Sequence, residues 1–361
     1  LCGSATEVHM SGSLFLRTDF SAQQTKEFRR DRLGRIVQNA VTTTSVDTVS
    51  LDRDVFSGID PTTSERLDSW SVTNQGHSGR CWEFAGLNVI RAQVMRNLNI
   101  DNLEFSQNHI AFFDKIEKVN FAFARAVETI DLPDGDEQVR ELLGELSDGG
   151  YWPQFVDIVG KYGLVPQWAM PDTESSGNTD RMNRALEKIV RRVVGQIRTA
   201  RGADDRDTRI AAAREQGLKD AWRVLAIHLG TPPTSFTWQY RDKDKNFHRE
   251  GTFTPTQFAR HIIPGDLGEY ATVQHDPRTE NPVGQGYVRE HTPYMVGRPG
   301  YSYVSAGMDD IKALAIESIR AGEPVWFSCD VNAQFDRELG IWDANLHDYE
   351  GLYGVELNRS K

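Results

Sequence analysis

The sequence changes texture near residue 236, and that change limits the fold more than any other feature. Before it, apolar residues recur at helical spacing. After it come short aromatic and β-branched runs punctuated by Pro and Gly: "TSFTWQY" (234–240), "GYSYVSA" (300–306) and "EPVWFSCDV" (323–331). A period near 3.6 marks helices with a buried stripe, and short runs of this composition mark strands. One helical run, "MDDIKALAIESIRAG" (308–322), separates the last two strands. Helices first and strands second is the order of an α+β protein, not of alternating units around a parallel sheet.

Residues 20–66, rich in Thr, Ser and Asp, read as a mostly extended or partly helical lead-in. From Gly79 to Asn97 the spacing of Trp82, Ala85, Val89, Ile90 and Met95 predicts a helix. "FSQNHIAFFDKIEKVNFAFARAVE" (105–128) predicts a second, with Ser106 as its N-cap. "LSDGGYWPQFVDIVGKYGLVP" (146–166) predicts a glycine turn, a helix opened by Pro153, and a stop at Gly163 and Pro166. Residues 179–229 predict two long charged helices broken near "RGADDRD" and ended at Gly230; they read as an insertion or assembly arm. The expected division is a lead-in (1–66), a helical half (67–178), the insertion (179–235) and a strand-rich half (236–361).

Charge argues against one class of partner. With 41 Lys and Arg against 52 Asp and Glu the net charge is −11, whereas nucleic-acid binding needs a concentrated basic face. The basic clusters "RRDRLGR" (29–35) and "RRVVGQIRTAR" (191–201) are diluted by nearby acids and read as solvated helix faces. No run approaches the roughly 18 apolar residues that would suggest a membrane span. The nine histidines show no HExxH or i, i+4 pairing, and no phosphate-binding glycine pattern occurs, so neither metal nor cofactor is expected. Cys2, Cys81 and Cys329 lie far apart, without a CxxC pair, which points to a reducing compartment. The first twenty residues lack a basic segment followed by an apolar one, so a cytoplasmic location is expected, with Met10 a candidate start.

The stretch "NQGHSGRCWEFAGLN" (74–88) carries the chemistry. A thiolate, not a thiol, attacks a carbonyl carbon, and a helix N-terminus favours the anion. Cys81 stands where the helix is predicted to begin. The attack creates an oxyanion that needs preorganised donors, each worth roughly 3–4 kcal/mol. Gln75 can supply a side-chain N–H beside the backbone N–H of Cys81, and Gly76 and Gly79 permit a tight turn. The plain alternative is a buried structural cysteine at the start of an apolar helix. Cys329, in the middle of a predicted strand, is given that reading, as a packed core thiol. His77, four residues before Cys81, sits on a turn expected to aim it outward.

The segment resembles the nucleophile segment of papain-like cysteine peptidases, and most closely their cytosolic bleomycin hydrolase and aminopeptidase C branch. "FSQNHIAFFDKIEKVN", "DGGYWPQFVDIVGKYGLVP", "RMNRALEKIVRRVVGQIR" and "GEPVWFSCDV" agree, and the similarity runs with gaps from about residue 14 to 361. Ser78 occupies the place where secreted relatives carry a disulfide cysteine. The resemblance implies a papain-like α+β fold with a helical insertion, and a thiol aminopeptidase acting on peptides. Cys81 is then the nucleophile and Gln75 the oxyanion donor. Gly149 and Gly150 pair with the extended substrate, and Trp82 packs under the cleft. A homohexameric ring with an internal chamber is implied too, with residues 179–229 as a candidate assembly element.

Such a cysteine needs an imidazole to take its proton and an Asn or Asp to orient the ring. In the family both follow the segment resembling "DYEGLYGVELNRSK" (348–361), so the resemblance places them beyond Lys361, and none of the histidines in 248–347 matches the family's motif. The expectation is a family aminopeptidase whose chain, ending here, lacks its proton partner and is inactive. It should also leave apolar strand surface uncovered. The alternative is a papain-like binding or assembly protein that keeps the cleft without the reaction.

Overall fold

The Ser-, Thr- and Asp-rich lead-in is helical rather than extended. In the computed structural model, which describes residues 16–67, 71–141, 146–289, 295–329 and 335–357, it forms four short helices. These are α1 (Phe20–Phe28), α2 (Arg32–Val41), α3 (Val46–Ser50) and α4 (Arg53–Gly58). Asp31, Ser45 and Asp52 accept backbone N–H groups at the starts of α2, α3 and α4. The polar residues that suggest extended chain are therefore helix caps. Cys2 and Met10 lie outside the described residues.

The chain then runs through α5 (Cys81–Asn97), α6 (Gln107–Glu128), α7 (Glu137–Glu141), α8 (Trp152–Tyr162), α9 (Glu174–Gly177), α10 (Asp180–Thr199) and α11 (Arg206–Leu229). After these come β1 (Phe236–Arg241), β2 (Phe247–Phe253), α12 (Pro255–Ile262), β3 (Val273–Gln274), β4 (Gly286–Arg289), β5 (Tyr301–Ser305) and α13 (Met308–Arg320). The short β6 (Phe335–Asp336), β7 (Ile341–Trp342) and α14 (Tyr349–Tyr353) close the described chain.

The chain packs as two units, residues 1–63 with 329–361, and residues 64–328. In the first, the amide of Asp52 donates to Leu346 O (2.9 Å) and that of Asp348 to Ser50 O (2.8 Å), which fastens α3 to the segment before α14. β6 and β7 pair antiparallel within it.

In the second unit the helices share one core. Ile110, Phe112 and Phe123 of α6, Phe155 of α8, Leu186 and Val193 of α10, Leu225 of α11 and Phe258 of α12 are fully buried in a single cluster. The two charged helices are as expected, with the break at 200–205, and they lie against α6. Gly217 of α11 permits that approach, because a Cβ there would stand 2.6 Å from Val193 and 2.9 Å from Phe123. α5 is buried on most sides: its stripe Trp82, Val89, Ile90 and Met95 is enclosed, and so are Glu83 and Arg91. β1 and β2 form an antiparallel pair, while β5 lies between β3, parallel to it, and β4, antiparallel.

One strand is not where its pattern places it. Residues 323–329 pair with no strand among the described residues, and Cys329 is exposed, not a core thiol. Burial alternates as far as Phe327, with Pro324 and Trp326 half-buried and Val325 and Phe327 exposed, and then stops: Ser328 and Cys329 are both exposed. The inward face is filled by Trp326, whose Nε1 donates to Trp82 O at 3.3 Å. Apolar surface is open here and on the strands, at Phe327, Val288 and Val304.

Ser106 caps α6 as predicted: its Oγ accepts the His109 amide at 3.0 Å and donates to Met170 O, and the residue is buried. Ser106→Ala should therefore lower the unfolding free energy by about 1–2 kcal/mol, read from urea denaturation at unchanged slope.

Candidate active site

Helix α5 starts at Cys81 without a side-chain cap: Arg80 occupies the N-cap position and its side chain bonds no N–H of the first turn. The amides of Glu83 and Phe84 close on Arg80 O (3.0 and 3.3 Å). Those of Cys81 and Trp82 have no acceptor within the helix. Cys81 is free and exposed at this open end.

The turn before it is pinned residue by residue. Asn74 Oδ1 accepts the Gly76 amide at 2.9 Å. Gly76 has φ +64°, and a Cβ there would lie 2.7 Å from Gly177 O, so the position demands glycine. The His77 amide donates to that same oxygen at 2.7 Å, and the residue is exposed. Ser78 Oγ donates to Gln75 O (2.7 Å) and accepts from Arg80 Nε (3.1 Å). The buried Arg80 guanidinium reaches Asp172 Oδ1 at 3.3 Å and lies 5.2 Å from the Phe84 ring centre. Ser78, a disulfide cysteine in secreted relatives, thus holds the turn by hydrogen bonds. Gln75 is half-buried, with Oε1 enclosed and unbonded among the described residues.

Residues 147–150 are brought against this turn. The Gly79 amide donates to Asp148 Oδ2 at 3.1 Å, and Trp82 Nε1 donates to Asp148 O at 2.8 Å. Gly150 lies on the Trp82 indole, where a Cβ would come within 2.5 Å of the ring. Gly149 is exposed beside it. Of the residues singled out from sequence, Cys81, Trp82, Gly149 and Gly150 therefore meet in one place, and Gln75 is tied to them through Ser78.

Beneath them lies a buried ionic cluster that sequence reading did not find. Lys115 Nζ pairs with Asp148 Oδ1 at 2.5 Å and donates to Ser147 O at 3.1 Å. Lys118 Nζ pairs with Asp114 Oδ2 at 2.8 Å and donates to Ser147 O (2.9 Å) and Gly149 O (2.7 Å). Gln154 Nε2 donates to Asp114 Oδ1. Burial alone would raise the Asp148 carboxyl, but Lys115, helped by Thr179 and Asn183, holds it well below the usual carboxylate range. Glu83 differs. Burial pushes its carboxyl well above the ordinary value against the pull of Arg80, and its Oε2 has no hydrogen-bond partner among the described residues.

No described imidazole hydrogen-bonds Cys81. His228 is held by Ser175 (2.8 Å), His248 by Asp242 (2.9 Å) and His275 by Ala306 O (3.3 Å). His261 faces Glu250 at 3.8 Å, and His347 lies by Ser50 and Asp47. His109 is buried on α6 against Phe113. Among the described residues no group of His, Cys, Asp and Glu could hold a metal ion, and no helix is long and apolar enough to cross a membrane.

Residues 15–361 match the Peptidase C1-like family. Bleomycin hydrolase of Homo sapiens is 38% identical over 291 residues, covering 79% of this chain and 64% of the relative. The chain thus spans just under two thirds of that protein's length. Aminopeptidase C of Streptococcus thermophilus is 34% identical over 355 residues, 96% of this chain and 78% of the relative. The crystal structure of PepW from Lactobacillus rhamnosis HN001 superposes with a TM-score of 0.91 at 32% identity, over 96% of this chain and 78% of that one. The papain-like α+β fold expected from the resemblance is the fold observed.

Glu83 generates a pH prediction. Its proton is bound more tightly folded than unfolded, so its contribution to stability is complete below the unfolded-state pKa and is lost as pH rises through the folded one. Glu83→Gln, which cannot ionise, should unfold at a higher temperature than the wild type at pH 8. The gap should shrink as pH falls to 4, in paired thermal melts.

Proposed function

The chain belongs to the Peptidase C1-like family, and on that footing we propose that it is a cysteine aminopeptidase of the bleomycin hydrolase and aminopeptidase C type. The observation that carries this reading is the exposed Cys81 at the uncapped start of a buried helix, beside the glycine pair 149–150.

In this reading the Cys81 Sγ anion attacks the carbonyl carbon of the first peptide bond. A C–S bond forms and the carbonyl electron pair moves to oxygen, where the Cys81 amide and the Gln75 side-chain N–H stabilise it. The oxyanion then collapses, the C–N bond breaks, and the amine leaves with the proton that an imidazole took from the Cys81 thiol when the anion formed. Water, deprotonated by the same imidazole, cleaves the thioester and restores the thiol. Gly149 and Gly150 have no side chain to block an extended peptide laid along them. The imidazole and the group that orients it lie outside the residues placed beside Cys81. The family resemblance also supports a cytosolic protein assembled as a homohexamer, with α10 and α11 as the assembly element.

A second reading, a papain-like protein that binds peptides without turnover, draws on the missing imidazole partner among the described residues. Kinetics with an aminoacyl-coumarin amide separates the two. The enzyme reading predicts release of coumarin that falls by about 10³-fold or more in Cys81→Ala. Equal binding of a peptide by both proteins, with release from neither, establishes the second.

A more local test uses Cys329, which is also exposed and so controls for access. Iodoacetamide at pH 6 should label Cys81 at least about tenfold faster than Cys329, because only the first sits at a helix N-terminus. Equal rates contradict an activated nucleophile.

A further inference from the structure

We propose that Asp148 is the positioning residue of the nucleophile turn, fixing Gly79 two residues before the Cys81 thiol and tying the turn to α10. This rests on the reading of Cys81 as nucleophile and adds a residue to it.

Four donors from three separate parts of the chain converge on this one carboxylate. Gly79 gives its backbone N–H (3.1 Å), Lys115 of α6 its ammonium (2.5 Å), and Thr179 and Asn183, at the start of α10, a hydroxyl (2.5 Å) and an amide N–H (2.8 Å). The backbone oxygen of the same residue takes the Trp82 indole N–H at 2.8 Å. Asp148 therefore grips the residues on both sides of Cys81, one by its side chain and the other by its main chain. At Gly79 the approach is close enough that a Cβ would lie 2.9 Å from Asp148 Cβ, so no other residue type fits without a shift.

Two physical points make this positioning rather than general stability. First, α5 has no side-chain cap, so no N-cap side chain bonds the amides of its first turn, and the hydrogen bonds of Asn74 and Ser78 within the preceding turn do not reach them. The external carboxylate does so through Gly79, and charge-assisted hydrogen bonds of this kind are stronger and more directional than neutral ones. Second, a bare carboxylate here would oppose a thiolate. Lys115, buried with it, supplies the opposite charge, so the anchor holds its donor without repelling the anion. Thr179 and Asn183 extend the tie to a helix whose own packing lies against α6 and α11. A site held to a few tenths of an ångström needs supporting groups of this kind behind the reacting residue.

The test uses the whole chain and compares the rate of Cys81 alkylation by iodoacetamide with that of Cys329 in the same molecule, by peptide mass spectrometry. Asp148→Asn should lower the Cys81:Cys329 ratio about tenfold, and Thr179→Val with Asn183→Leu about threefold, while circular dichroism stays native. Ser106→Ala, destabilised away from the turn, should keep the wild-type ratio. An electrostatic role predicts the opposite sign, because Asp148→Asn leaves Lys115 unbalanced and favours the thiolate. A ratio that rises or stays within twofold of wild type in the Asp148 variant overturns the proposal. So does a fall of equal size in Ser106→Ala. If Asp148→Asn does not fold, the α10 double variant decides, and an unchanged ratio there overturns the proposal. A wild-type ratio near one defeats the nucleophile reading itself, and the positioning role with it. A high wild-type ratio with unchanged variants defeats the positioning role alone.

Discussion

Two lysines one turn apart on α6 hold the site together. Lys115 and Lys118 are buried, and each spends its donors on the main chain of residues 146–149 and on a carboxylate, Asp148 or Asp114. Burying two ammonium groups is costly in itself, and removing one partner of such a pair typically costs about 3–5 kcal/mol. The cost is offset only because the hydrogen bonds are satisfied together. That requirement fixes where the segment 147–150 can lie, and through Asp148 it fixes the turn that carries Cys81.

From this anchor the rest of the site follows by contact. With residues 147–150 held, Gly150 lies on the Trp82 indole and Asp148 O accepts its N–H. Trp82 in turn offers its carbonyl to Trp326, so the segment after α13 leans on α5. On the other side Ser78, Arg80 and Asp172 close the turn without a covalent link. The assembly is polar and interlocked, and that rigidity suits the proposed role of Cys81, in which the thiol meets a carbonyl in one orientation.

Sequence pattern was enough for the parts built from periodicity and local capping. The spacing in 79–128 and 152–162, the Ser106 cap, the Pro153 start, the Gly163 stop and the break between the charged helices all appear as read. Local signals misled where the same residue types serve two purposes. The Thr-, Ser- and Asp-rich lead-in left extended and helical chain both open, and Asp31, Ser45 and Asp52 prove to be caps of short helices. Cys329 looked like core, but the alternation of burial ends at Phe327, and Ser328 and Cys329 are both exposed. The ionic cluster was invisible because nothing local distinguishes it. Nothing in the spacing of Lys115 and Lys118 separates them from exposed lysines, and Asp148 before two glycines has the pattern of an ordinary turn. Only the folding of α6 beneath residues 146–150 brings their charges together.

The most direct check on this account is hydrogen exchange at the Gly79 amide, followed in the peptide spanning 74–81 in the wild type and in Lys115→Met. If the lysine holds Asp148 and Asp148 holds the turn, the wild-type amide is protected and the variant loses most of that protection while peptides from α11 keep theirs. Gly79 protection equal in the two proteins would mean that the turn stands without the buried cluster, and would contradict the account.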